Sequence, residues 1–186
     1  MHHFNWEVLN SKYLVQNEWL SLRADTCQMP NGVLVDPYYI VESGSYVNIV
    51  PVTPDGRIVM ERMYRHGCQQ TILETPGGLI DAGEMPLAAG KRELLEETGY
   101  TSDRVELIGT GYPDPARMSC KAYYLLAYDV VKTAKPNREL SEQMDVVLVP
   151  LPEVVAMLQD GRILDAVQQS VLFHALLRLG AMKVNE

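Results

Sequence analysis

Residues 78–100 read GLIDAGEMPLAAGKRELLEETGY, and the spacing of the acidic residues in this stretch governs the reading of the whole chain. Pro86 suits a first helical turn and Gly99 a C-terminal cap, so a helix is predicted over 86–98. Glu93, Glu96 and Glu97 then stand at i, i+3 and i+4, which gathers three carboxylates on one helical face. Each like-charge pair costs roughly a few tenths of a kcal/mol on an exposed helix and more when half-buried, so a bound cation is the natural compensation. A donor set made only of oxygens favours Mg²⁺ or Mn²⁺ over zinc. Such an ion can bridge phosphate oxygens and lower the pKa of a bound water. Gly77 and Gly78 allow a sharp turn that brings a main-chain carbonyl toward the ion. The planar fork of Arg92 is spaced to pair with Glu84 and hold the loop against the helix. The competing reading is a solvated acidic face, with Leu87, Leu94 and Leu95 packed inward.

Working outward, strands are predicted at 105–111, 122–130 and 144–149, with a polar loop at 112–119 and helices near 152–159 and 165–179. On the N-terminal side, the apolar, β-branched runs 46–53 and 58–64 flank the turn Pro54-Asp55-Gly56. Before them, 19–28 and 33–41 flank Pro30-Asn31-Gly32, a hairpin signal because Asn-Gly tolerates positive φ. The order strands, helix, strands, helices predicts an α+β fold. It divides into an N-terminal β extension over 1–45, a hairpin or small sheet, and a main domain over 46–186; the stretch 132–141 has the length of a functional loop.

With 186 residues and 47% hydrophobic content, the chain can bury one core. Its net charge of −8, with no basic cluster, argues against a nucleic-acid partner. Cys27, Cys68 and Cys120 are odd in number and include no CxxC, which argues against a disulfide scaffold and a zinc site. No apolar run approaches the roughly 20 residues needed to span a membrane, and the N-terminus lacks a signal-peptide core. The expectation is a cytoplasmic protein without a membrane partner.

Gly78, Glu84, Arg92, Glu93, Leu94, Glu96, Glu97, Gly99 and Tyr100 meet every position of the pattern G-x5-E-x7-R-E-U-x-E-E-x-G-U, where U is bulky and apolar. Chance would produce it with odds on the order of one in ten million at background frequencies. In this pattern the chain resembles the Nudix hydrolases, which share a mixed sheet sandwiched between helices (α/β/α) and hydrolyse nucleoside diphosphates linked to another moiety. It is further similar to the ADP-ribose pyrophosphatase branch in its N-terminal hairpin, in Tyr64-Arg65, in the run 73–78 (LETPGG) and in Pro115, fifteen residues after Tyr100.

That resemblance implies that Glu93 and Glu97 are the main side-chain metal ligands, that Gly77 offers a carbonyl, and that Glu96 helps through metal or water. It implies that Arg65 meets the substrate diphosphate, that Glu74 contacts substrate or is a buried partner, and that Pro115 marks an ADP-ribose site. It implies a loop glutamate beyond the box as general base, with Glu142 favoured over Glu139, and a mobile loop suits a base that closes over substrate. A base-stacking ring would come from Tyr38, Tyr39, Tyr112, Tyr123 or Tyr124. The branch also implies a homodimer joined through the first 45 residues, since a bare hairpin is marginal alone. The expected reaction is metal-dependent hydrolysis of ADP-ribose to AMP and ribose 5-phosphate. The alternatives are GDP-mannose, NADH or a dinucleoside polyphosphate as substrate, a non-catalytic nucleotide-sugar sensor, and an isopentenyl diphosphate isomerase using Cys68 or Cys120.

Overall fold

The computed structural model describes residues 4–18, 20–138 and 142–183. The chain separates into two compact units, one built from residues up to 44 together with 112–121, the other from 45–111 and from 122 onward.

The first unit is an antiparallel sheet of β1 (Glu7–Gln16), β2 (Ser21–Gln28) and β3 (Leu34–Glu42), in that order. β2 and β3 form the hairpin expected around Pro30-Asn31-Gly32, where Gly32 has φ +83° and donates its N–H to the Met29 carbonyl at 2.9 Å. β1 is an addition that periodicity did not predict. All ten of its residues are exposed, so its sequence, EVLNSKYLVQ, lacks the alternation of a half-buried strand. The loop 112–121 joins this unit through main-chain bonds between Val41 and Arg117 (2.7 Å) and between Ser119 and Val41 (3.2 Å).

The second unit runs β4 (Tyr46–Pro51), β5 (Arg57–Arg65), β6 (Gln70–Glu74), β7 (Gly77–Leu79), α1 (Pro86–Glu93), a π-helical turn (Leu94–Thr98), β8 (Tyr100–Thr101), β9 (Arg104–Gly111), β10 (Ala122–Tyr128), β11 (Val131–Lys132), β12 (Met144–Pro150), α2 (Leu151–Gln159) and α3 (Ala166–Arg178). One sheet has the order β7-β4-β10-β9, with β4 and β10 parallel and the other pairs antiparallel; a second, antiparallel, has the order β12-β5-β6. The short strands β7, β8 and β11 fall below the length at which a period of two can be read, and β6, with the sequence QTILE, does not alternate.

Val47 and Ile49 of β4 pack with Ala89 and Leu94, whereas Val50 packs with Leu172 and Leu176 of α3 and Val154 of α2. Helices therefore cover both sides of the strands. This is the α+β sandwich expected, and burial on both faces explains why 49–52 runs apolar rather than alternating.

The helix predicted over 86–98 is α-helical only as far as Glu93. The buried Thr98 hydroxyl donates to the carbonyl of Leu94, four residues back, and such back-bonding competes with regular helix winding. Gly99 closes the turn at φ +77°, its N–H on the Leu95 carbonyl at 2.8 Å. A Cβ there would lie 2.2 Å from the Ala134 carbonyl oxygen, so both conformation and space select glycine.

Candidate active site

The glutamates of the helix are held in two different ways. Arg92 grips Glu84 twice, Nε to Oε1 at 3.1 Å and Nη2 to Oε2 at 2.9 Å, while Nη2 also donates to the Leu79 carbonyl at 3.0 Å. Its Nη1 reaches Glu93 at 2.8 Å and Glu96 at 3.3 Å. One guanidinium thus ties the loop after β7 to the helix and spaces Glu93 from Glu96. These carboxylates raise the pKa of Arg92, the bond to Glu84 most, so it stays charged. Gly78 makes room for this arrangement, because a Cβ on it would fall 2.2 Å from Glu93 Oε1.

Glu97 faces inward. It is buried, and its Oε2 accepts the Gly77 N–H at 2.9 Å, which joins the helix to the start of β7. Burial pushes its carboxyl up to about 9; the charge of Glu61 adds to the shift and the Gly77 N–H opposes it. Glu93 is raised as well, by burial first, with Arg92 opposing. Glu61, a residue of β5 that motif reading passed over, is pushed up to about 8, chiefly by burial.

Arg65, at the end of β5, closes on the buried Glu74 of β6, Nε to Oε2 at 2.9 Å and Nη2 to Oε2 at 2.5 Å. Of the two roles open to Glu74, buried pairing is present. Both residues line a cleft of about 790 Å³ with Asn48, Gly77, Asp165 and Gln168, a size that accommodates a small-molecule ligand. Gln168 was also not anticipated; its Oε1 accepts the Thr75 N–H at 2.8 Å and the Thr75 hydroxyl at 2.9 Å, fixing the segment that leads into Gly77. Asp165 caps α3 by accepting the Gln168 N–H at 2.8 Å.

A second cavity, of about 280 Å³, is lined by Arg92, Glu93, Glu96, Asn137, Arg138 and Glu142. The favoured loop glutamate, Glu142, therefore shares a cavity with two box glutamates. Glu139 lies outside the described residues. Pro115 belongs to the first unit, in a turn where the Ala116 N–H meets Asp114 Oδ1 at 3.1 Å. Of the tyrosines, Tyr124 is buried in the core closed by α2 and α3, Tyr123 packs partly buried against the opposite core that holds Ala89 and Leu94, and Tyr39 and Tyr112 are exposed. The Tyr38 hydroxyl donates to the Ala116 carbonyl.

Among the described residues, no three Asp, Glu, His or Cys side chains already converge as an ion-ready cluster. The chemistry of the donors nevertheless fits a hard divalent cation. Glu93 and Glu97 are drawn toward neutrality by burial, and Glu61 Oε1 is buried with no hydrogen-bond partner among the described residues. The demand left open is for positive charge.

Comparison with known proteins agrees with this geometry. Residues 43–167 match the NUDIX domain, and residues 6–41 match the nucleoside diphosphate sugar hydrolase N-terminal domain. The chain is 30% identical to the ADP-ribose pyrophosphatase of Bacillus subtilis (strain 168) over 86% of each chain. It is 26% identical to the GDP-mannose pyrophosphatase of Pectobacterium atrosepticum, over 90% of this chain and 92% of that one. A crystal structure of an ADP compounds hydrolase superposes with a TM-score of 0.84 at 25% identity, covering 95% of both chains. With the complete glutamate motif, the two-sided sandwich and a domain match spanning most of its length, this chain belongs to the NUDIX family.

Proposed function

We propose that this protein hydrolyses the diphosphate bond of a nucleoside diphosphate sugar with the help of Mg²⁺ or Mn²⁺, and that ADP-ribose is the substrate, yielding AMP and ribose 5-phosphate. The observation that carries the reading is the Glu97–Gly77 junction, which ties the helix of the box glutamates to a residue lining the cleft of Arg65. Glu93, Glu97 and the Gly77 carbonyl would hold the cation, whose chemistry is to neutralise phosphate charge and acidify water. Arg65, oriented by Glu74, offers its remaining donors to the substrate diphosphate. Glu142 takes the proton of the attacking water, and Glu96, beside it in the same cavity, orders that water. One P–O bond forms from water as the bridging P–O bond breaks, and the departing phosphate carries away the bridging oxygen. Arg92 supports the reaction by keeping Glu93 and Glu96 in place.

Turnover of ADP-ribose, GDP-mannose, NADH and dinucleoside polyphosphates with Mg²⁺, followed through released phosphate with a coupled phosphatase, tests this reading. ADP-ribose turnover that collapses in Glu97→Gln supports it. Faster turnover of GDP-mannose moves the substrate to that relative's class, and no turnover of any of the four overturns hydrolysis in favour of a sensor.

The same reading assigns a homodimer joined through the first unit. Among the described residues β1 pairs only with β2, and Val8, Leu9, Leu14 and Val15 along it are exposed, a surface that a second copy would cover. A monomeric mass by light scattering at micromolar concentration would refute the dimer. Among the described residues no helix is long and apolar enough to cross a membrane, and all three cysteines are free, as in a reducing compartment; the cytoplasm is the setting proposed. The net charge of −8 leaves nucleic acid outside the proposed partners.

A further inference from the structure

Glu61 stands outside the glutamate motif, in the middle of β5, where its neighbours Ile58, Val59 and Met60 are fully buried. Strand alternation decides which way it points. Ile58 and Met60 pack in the core closed by α2 and α3, while Val59 packs in the core that holds Ala89 and Leu94. Glu61 shares the side of Val59, and so faces the helix that carries the box glutamates. Three residues beyond Leu94 comes Glu97, and Glu61 is the first of the neighbouring charges acting on it. Across the sheet Glu61 pairs with Glu74, whose segment runs on to Gly77, the residue bonded to Glu97.

Its environment leaves it short of partners. Glu61 is 2% exposed, and its Oε1 has no hydrogen bond among the described residues. A buried carboxylate oxygen without a partner is destabilising, so it persists where something else completes it. The nearby guanidiniums act on Glu61 as charges, Arg138 more than Arg65, without a hydrogen bond to Oε1 among the described residues. Arg65 holds Glu74, and Arg138 donates Nε to the Glu97 carbonyl at 2.7 Å and Nη1 to the Met144 carbonyl at 2.8 Å. On the side of the strand that Glu61 faces, the helix carries Glu97, on which Glu61 acts most among the neighbouring charges.

We propose that Glu61 is a further ligand of the divalent-cation site, its orphaned Oε1 reaching the ion from the β5 side while Glu97 reaches it from the helix. This rests on the reading that the box glutamates bind a divalent cation. An all-carboxylate site gains one more hard oxygen donor, and the unsatisfied atom acquires a partner. The competing occupant is a proton shared between Glu61 and Glu97, which would make Glu61 a neutral structural acid.

Mn²⁺ binding to the full-length protein without substrate, followed by loss of the free-ion electron paramagnetic resonance signal, separates the two. Glu61→Gln is expected to weaken Mn²⁺ binding by about 10-fold or more, and Glu97→Gln to do the same. Mn²⁺ affinity unchanged in Glu61→Gln but lost in Glu97→Gln overturns the ligand role of Glu61 while leaving the proposed function standing. Failure of the unaltered protein to bind Mn²⁺ overturns both. Circular dichroism melting in EDTA checks that the variants fold. Should Glu61→Gln not fold, Glu61→Asp keeps the charge and withdraws the oxygens by about one bond length. Weakened binding with an altered spectrum of bound Mn²⁺ supports ligation, and wild-type affinity refutes it.

Discussion

Glu97 and Glu106 are the same side chain in one folded unit, yet their surroundings drive them in opposite directions. Glu106, on β9, accepts Arg178 Nε at 3.1 Å and Nη2 at 3.0 Å, and also the Tyr128 hydroxyl, while the Arg104 guanidinium lies 3.8 Å over the Tyr128 ring. These donors, with Arg178 foremost, hold its carboxyl down to about 2. Glu97 is buried with one main-chain N–H and acidic neighbours, and goes up to about 9. Where donors exceed what a half-exposed carboxylate needs, the charge is already satisfied and nothing further is called for. Where burial and like charges exceed the donors, the protein holds acidic groups that only a cation or a proton completes, and such perturbed groups bonded to the wall of a cleft, as Glu97 is to Gly77, are the mark of a working site.

The largest expected effect separates the two carboxylates by activity. Glu97→Gln should lower turnover by on the order of 10²- to 10³-fold, whereas Glu106→Gln should leave it unchanged; equal effects in a steady-state assay would break the contrast. A middle-sized effect concerns Arg65. Arg65→Ala strands Glu74 in a buried position, and because Arg65 is itself half exposed the expected destabilisation is about 1–3 kcal/mol by urea unfolding, with Arg65→Lys recovering part of it. A stability unchanged from wild type would show that Glu74 does not need its partner.

The smallest effect sharpens the Glu106 side. A carboxyl lowered from 4.5 to about 2 contributes stability that is present above the upper value and lost as pH falls through the lower one. Arg178→Ala should therefore lower Tm near neutral pH by at most about 2–4 °C, and the gap should close as pH approaches about 2. A gap that persists in acid would mean that Arg178 acts through packing rather than charge.

The glutamate motif was legible because its physics is local. Spacing along one helix places Glu93, Glu96 and Glu97, Arg92 finds Glu84 eight residues away, and Gly99 ends the turn. The two-sided burial of β4 and the alternation of sheet and helix likewise show in runs of apolar residues, which carried the α+β class. β1 did not show, because an edge strand exposed along its whole length has no hydrophobic period. The π winding of 94–98 did not show either, since it depends on how Thr98 is buried against its own helix.

The motif and its call for a cation are written in spacings of a few residues, and the α+β class in the order of apolar runs. Which carboxylates are short of partners depends on how the chain packs. Glu61 and Glu97 are distant in sequence, and their common burial arises from a strand and a helix packing on one core. Desolvation and charge coupling are properties of that packing, so the residue singled out as a further ligand became visible only once the chain was folded.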